Sequence, residues 1–390
     1  MIPRALAEPL KRLFGQYPVV TVTGPRQSGK TTLVKSVFAD LPYVNLEDLQ
    51  TRELAESDPV GLLRGLRGGA VIDEIQRVPS LLSQIQVLVD EDGRDGLFVL
   101  TGSSQLQLME SLSQSLAGRT ALLKLLPLSV AELDEAQIRL GADELMFRGF
   151  YPRLHDRGLD PTQLYGDYLE TYIERDLRSF AQVRNLSQFQ RFIRLCAGRV
   201  GQLLNASSLA NDTGVSSTTI KHWLSLLEAS FLVFLLQPFS TNTRRRLVRS
   251  PKLYFYDVGL ASYLLGVEDV SQLATHPLRG GIFENLVVLE VLKHRMHRGL
   301  RVQASFFRDA TGNEVDLLVA LGQQLLPIEI KSSRTVSTAF FKAFDVLEKT
   351  IQGGLARPLV VYAGDREEER TSVDLTHIHG LGAMLRGRGL

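Results

Sequence analysis

A chain of 390 residues is longer than one compact hydrophobic core usually serves, so two or three domains are expected. Its 44 Lys and Arg nearly balance its 43 Asp and Glu, which leaves the overall charge silent about nucleic acid and shifts that question to local clusters. A single cysteine, Cys196, excludes an internal disulfide, no apolar run approaches the roughly 20 residues of a membrane span, and the first residues show no secretory pattern, so a soluble, cytoplasmic protein is expected.

In chain order, the first clear element is Val19-Val20-Thr21-Val22-Thr23, a short β-branched run that reads as a buried strand. It ends at Gly24-Pro25-Arg26-Gln27-Ser28-Gly29-Lys30-Thr31-Thr32, after which Leu33, Val34 and Val37 keep helical spacing. This is G-x-x-x-x-G-K-T in its strand–loop–helix setting, the sequence of a phosphate-binding P-loop. Gly24 and Gly29 let backbone N–H groups close on phosphate oxygens, and the helix start adds its positive end. Lys30 is then placed to reach the outer phosphates of ATP and Thr31 to ligate Mg2+. A second buried strand, Ala70-Val71-Ile72-Asp73-Glu74, ends in two carboxylates. At the end of a parallel strand beside the P-loop, Asp73 can hold the Mg2+ shell and Glu74 can polarise the attacking water. Their different roles are expected because neighbours on an extended strand point oppositely. A third strand, Leu97-Phe98-Val99-Leu100-Thr101, runs into Gly102-Ser103-Ser104-Gln105, where Ser103 could cap the next helix. Leu116-Ala117-Gly118-Arg119 places an arginine after a helix-ending glycine, where it can satisfy the helix dipole.

Residues 128–190 read as mostly helical, interrupted near Gly149-Phe150-Tyr151-Pro152, and suggest a lid or linker over the nucleotide. The stretch Asn205–Leu224 then shows a short helix, a turn at Gly214 and a second helix opening on Ser216, Ser217, Thr218 and Thr219, followed by Lys221. That is a helix-turn-helix pattern, whose small hydroxyl residues can cap the helix and donate to DNA phosphates or base edges. The apolar strand 232–236 and Lys252-Leu253-Tyr254-Phe255-Tyr256 would form a wing, with Arg244, Arg245, Arg246 and Arg249 between them to meet a phosphate backbone. The bland alternative is a winged helix that binds protein and a merely solvated arginine loop.

The C-terminal third contains Glu284 in the helical run Phe283–Leu292, Asp316 before the apolar Leu317-Leu318-Val319, and Leu326-Pro327-Ile328-Glu329-Ile330-Lys331 beyond it. Alternation puts Glu329 and Lys331 on one strand face with Ile330 in the core. Carboxylates converging from neighbouring strands could hold one or two Mg2+ or Mn2+ ions, with the lysine orienting a water for phosphodiester cleavage. They could equally form a structural network.

Two resemblances follow from these residues. The P-loop, Val71-Ile72-Asp73-Glu74-Ile75-Gln76, Thr101-Gly102-Ser103-Ser104 and Leu116-Ala117-Gly118-Arg119 resemble AAA-type ATPases (AAA_14-like) with a C-terminal DUF4143 region. So do Tyr172-Ile173-Glu174-Arg175-Asp176-Leu177 and Phe283-Glu284-Asn285-Leu286-Val287. That resemblance implies Ser103 as a sensor of the γ-phosphate, Arg119 as an arginine finger for a neighbouring subunit, and a homo-oligomerising core, for which a hexameric ring is expected with the DNA-remodelling activity below. Asp316…Glu329-x-Lys331 after the helical Glu284 resembles the PD-(D/E)xK nuclease fold, which includes Holliday-junction resolvases. The expected architecture is therefore α/β: a P-loop AAA-type core with a parallel sheet flanked by helices (1–127), a helical lid (128–190), a winged helix (191–265) and a restriction-endonuclease-like α/β domain (266–390). Three activities suit it: a DNA-remodelling ATPase acting on branched or forked DNA, a nucleotide-switched regulator of a protein partner, and an ATP-gated metal-dependent nuclease.

Overall fold

The computed structural model describes residues 2–103, 112, 114–173, 186–239, 248–351 and 353–390. They divide into two compact units: Met1–Leu128 with Ala229–Phe231 and Met296–Leu300, and the remainder.

The first unit runs α1 (Ala7–Phe14), β1 (Val19–Thr23), α2 (Lys30–Val37), β2 (Tyr43–Asn45), α3 (Leu49–Ser57), α4 (Pro59–Arg64), β3 (Ala70–Asp73), α5 (Leu81–Asp92), β4 (Phe98–Gly102) and β5 (Thr120–Lys124). The strands form one sheet in the order β2-β3-β4-β1-β5, and every pairing is parallel. β1, β3 and β4 are buried along their whole lengths. That explains why they read as continuous apolar runs rather than alternating ones. On one face Val19, Ile72, Phe98 and Leu100 pack with Leu81, Leu82, Ile85 and Val89 of α5. On the other, Val20, Val22, Val71 and Val99 pack with Leu10 of α1 and with Leu33 and Val34 of α2.

β3 does not lie beside the P-loop strand; β4 separates them. The sequence gives strand ends but not strand order, and two steps of about 4.8 Å still leave a side chain on β3 within reach of the helix that follows β1.

The second unit begins with α6 (Val130–Glu135), α7 (Ala142–Arg148), α8 (Pro152–Asp156) and α9 (Pro161–Tyr168). Next come α10 (Leu186–Ala197), α11 (Ala206–Thr213), α12 (Ser217–Ala229) and the antiparallel pair β6 (Val233–Leu236) and β7 (Lys252–Phe255). α13 (Val258–Leu264), α14 (Val270–Leu273) and α15 (Arg279–Met296) lead into the last sheet. The segment expected as a lid takes its packing partners here: α7 lies against α13 and α14, and α9 against α13. The buried Asp257 carboxylate ties them together, accepting from Phe150 N at 2.8 Å and from the Tyr165 hydroxyl at 2.6 Å while capping α13.

The last sheet has the order β12-β13-β11-β10-β9-β8. β8 (Ala304–Arg308), β9 (Glu314–Leu321) and β10 (Gln324–Lys331) form an antiparallel meander; β11 (Leu359–Tyr362) and β13 (Asp374–Thr376) continue parallel to β10, and β12 (Glu368–Glu369) closes the edge. α16 (Lys342–Thr350) covers one face through Phe344 and Leu347, and α17 (Leu381–Gly387) ends the chain. Among the described residues no helix is long and apolar enough to cross a membrane.

Candidate functional site

Gly24 sits at φ +150°, where a Cβ would run into the Leu125 carbonyl oxygen, and Gly29 at φ +92° opens α2. Only glycine serves both positions, so the loop can wrap tightly. Lys30 is buried and donates to the carbonyls of Gly24 (2.9 Å) and Pro25 (2.7 Å). Burial lowers its ammonium to a pKa of about 8, against the opposing pull of Glu74 and Asp73. Arg4 braces the loop, donating to Ser28 O at 2.6 Å and to Leu126 O at 2.7 Å; nothing in the sequence pattern marked it. The Ser28 hydroxyl and Gln27 Oε1 are buried without a partner among the described residues. Buried polar atoms without partners are costly, so a loop that leaves two of them at a helix start fits a polar ligand such as a nucleotide phosphate.

Asp73 collects three hydroxyls. Thr31 donates to its Oδ2 at 2.8 Å, Tyr43 donates to the same oxygen at 2.5 Å, and Thr101 donates to Oδ1. The P-loop threonine and the carboxylate of β3 are thus brought together across the intervening strand. This donor set, a hydroxyl and a carboxylate beside a phosphate loop, fits Mg2+ carried with a nucleotide. The sequence did not single out Tyr43 or Thr101 as partners.

Glu74 reaches its position differently from the expectation. It lies past the end of β3 at φ +58°, ψ +45°, so a left-handed turn, rather than strand alternation, separates it from Asp73. Its Oε2 accepts from the Gln76 amide and, at 3.3 Å, from the Ser103 hydroxyl, while its backbone N–H donates to Thr101 Oγ1 at 3.3 Å. Ser103 is therefore a neighbour of Glu74; residues 104–111, where it was expected to cap a helix, lie outside the described residues.

Arg119 forms a two-point ion pair with Asp90 of α5, at 2.5 and 2.8 Å, and donates to Ala117 O at 3.2 Å. The next residue, Thr120, pairs with Val19, whereas the P-loop follows Thr23. Arg119 thus lies at the opposite end of the sheet from its own loop, four strand residues or about 13 Å away.

In the second unit α12 buries Ile220, Trp223, Leu224 and Leu227 and exposes Thr218, Lys221, His222 and Ser225 as one polar stripe. Of the candidate DNA contacts, Thr218, Lys221 and Arg249 are exposed and Ser217 and Thr219 half-buried. Ser216 is spent on capping, accepting from Thr219 N at 3.1 Å. Arg244, Arg245 and Arg246 lie outside the described residues, as do Glu174–Leu177.

The four candidate nuclease residues come together from α15, β9 and β10. Lys331 pairs with Glu329 and lies 3.8 Å from Asp316, whose Oδ2 accepts from Ile330 N at 2.8 Å. Burial, followed by the nearby Asp316, raises both Glu284 and Glu329 above the usual carboxylate range. Three further residues were missed. Glu314 joins Glu284 and Asp316, and oxygens of the three lie within 4.8 Å of one another. Tyr254 donates to Glu284, and Lys252 of β7, 2% exposed, sets its ammonium 2.7 Å from Glu284, against Glu314 and 3.9 Å from Asp316. A second Mg2+ or Mn2+ does not fit a carboxylate cluster that already surrounds an ammonium.

Comparison with known proteins adds the following. Residues 16–134 match the AAA domain model (AAA_14), residues 139–271 a domain of unknown function, DUF8612, and residues 279–381 another, DUF4143. The uncharacterized proteins Rv2008c of Mycobacterium tuberculosis and Mb2031c of Mycobacterium bovis are each 32% identical over 367 residues, 93% of this chain and 80% of theirs. The uncharacterized protein MJ1544 of Methanocaldococcus jannaschii is 23% identical over 91% of this chain and 84% of its own. Among solved structures, the Walker-type ATPase PABY2304 of Pyrococcus abyssi aligns with a TM-score of 0.46 at 14% identity, over 68% of this chain and 96% of that one.

Proposed function

This chain belongs to the family of Rv2008c and Mb2031c and has a P-loop ATPase core, and on that premise we propose that it hydrolyses ATP within a homo-oligomeric ring, a hexamer, to act on DNA. The observation that carries hydrolysis is the 2.8 Å bond between Thr31 and Asp73, which joins the phosphate loop to the second carboxylate strand. Thr31 and Asp73 would hold Mg2+ with the nucleotide, and Lys30 would turn from its own loop carbonyls to the outer phosphates. Magnesium bound there would supply positive charge against the charge that builds up on the transferred phosphoryl group. Glu74 orients the attacking water and takes its proton, with Ser103 and Gln76 fixing the carboxylate. Because Arg119 is about 13 Å along the sheet from its own loop, its role is in a neighbour's site, reached by exchanging Asp90 for that neighbour's nucleotide.

Support for DNA comes from the second unit. Helices α10 to α12 followed by the β6–β7 hairpin have the order of a winged helix, and Thr218 and Lys221 face outward on the helix that would enter a groove. A second reading, a nucleotide-switched regulator of a protein partner, is favoured by Leu49 (66% exposed), Leu54 (47%) and Val60 (44%) on α3 and α4 of the first unit. The deciding experiment is the ATPase rate of the full chain against single-stranded, linear, forked and four-way DNA. Stimulation by forked or four-way DNA over linear duplex is expected. No DNA binding at low salt, together with one stoichiometric protein partner, would replace the first reading by the second.

A further inference from the structure

We propose that the acidic cluster of the C-terminal sheet is a cation site filled in cis by the ammonium of Lys252, which keeps divalent metal out and makes this region a metal-independent scaffold. The inference rests on the second unit alone and holds whether or not the first unit acts on DNA.

The geometry is that of a cation in a carboxylate cage. Glu284 from α15 and Glu314 and Asp316 from β9 bring three carboxylates to within 4.8 Å of one another, a span that suits the coordination shell of an ion such as Ca2+ or Mn2+. Lys252 is directed into that cage: 2.7 Å from Glu284, in contact with Glu314 and 3.9 Å from Asp316. Its nitrogen also sits 5.5 Å from the centre of the Phe306 ring. A divalent ion would have to share this space with a fixed positive charge.

The charge balance points the same way. Arg308 holds the outer oxygen of Glu314 at 2.7 Å, and Lys331 holds Glu329 and approaches Asp316. Lys252, Lys331 and Arg308 thus face Glu284, Glu314, Asp316 and Glu329, which leaves at most one net negative charge to attract a metal.

The lysine is also fixed from behind. β7 pairs with β6 through Leu236↔Lys252 on one side and bridges to Leu203 on the other. The Asn285 amide then clasps both backbone groups of Phe255, accepting from its N–H at 2.8 Å and donating to its C=O at 2.9 Å. The main chain that carries Lys252 is thus held in place beneath the carboxylates.

The test is Mn2+ binding by the nucleotide-free full chain, followed by calorimetry and by electron paramagnetic resonance of free Mn2+. Wild-type protein is expected to show no Mn2+ binding that Asp316→Asn changes. Lys252→Met is expected to gain one site at least tenfold tighter than any in wild type, and Lys252→Met/Asp316→Asn to lose it. If Lys252→Met unfolds because it strands three carboxylates, Mn2+ is expected to restore its far-ultraviolet circular dichroism, and failure of Mn2+ both to bind and to restore it overturns the proposal. Wild-type Mn2+ binding that Asp316→Asn abolishes overturns it without reference to any lysine variant.

Discussion

Two places in this chain gather carboxylates beside a buried lysine, and they are built for opposite ends. At the first, Asp73 is surrounded by the hydroxyls of Thr31, Tyr43 and Thr101, while Lys30 points away from it to the carbonyls of Gly24 and Pro25. At the second, Lys252 points into the carboxylates themselves. Hydroxyls are neutral and can turn to share a metal; an ammonium is a metal's competitor. A carboxylate cluster is therefore read not by its acids but by the counter-charge that folding delivers to them.

Breaking this contrast at the first site should have the largest effect. Lys30→Ala removes charge-assisted bonds to phosphate, and ATP affinity should fall about 100-fold or more in a fluorescent-nucleotide titration. At the second site, Asn285→Ala leaves the buried N–H and C=O of Phe255 without partners, and should lower unfolding stability by about 2–5 kcal/mol with ATP affinity retained. Urea unfolding checks this, and an unchanged midpoint would mean that β7 is held by other means.

The pH response sharpens the first site further. In the free protein Lys30 loses its proton near pH 8, and phosphate favours the charged form. ATP binding therefore takes up a proton above that pH, and affinity should fall by up to about tenfold per unit between pH 8 and 10. Lys30→Arg should flatten the profile. The smallest effect is expected from Tyr43→Phe, which removes one of the three hydroxyls on Asp73. It should raise the Mg2+ concentration for half-maximal turnover by a few fold, in line with one hydrogen bond of about 1 kcal/mol.

How much of this was legible in the sequence follows from the range of each interaction. Gly24–Thr31 and Asp73-Glu74 could be read because each is a local motif closing an apolar strand. The insertion of β4 between β1 and β3 could not, since strand order is a long-range property. Tyr43 and Thr101 come to Asp73 only through that order. Glu284, Asp316, Glu329 and Lys331 lie close together in the structure, but Lys252, which changes the charge they meet, belongs to no motif. Lys252 opens a run read as a wing strand, Lys252-Leu253-Tyr254-Phe255-Tyr256, in which the lysine and two tyrosines share one face. Three polar-tipped side chains on one face of a buried strand signal a polar interior, and Glu314, two residues before Asp316 on the same face of β9, would have supplied its partner.

In the proposed function, Asp73 and Glu74 turn a phosphate loop into a hydrolysing site, with Glu74 acting on water rather than on the nucleotide. Single-turnover hydrolysis of ATP by Glu74→Gln, measured beside ATP binding by the same protein, tests it directly. Affinity within about threefold of wild type and a hydrolysis rate lower by about 10²–10⁴ are expected. Turnover at the wild-type rate with ATP bound would contradict it.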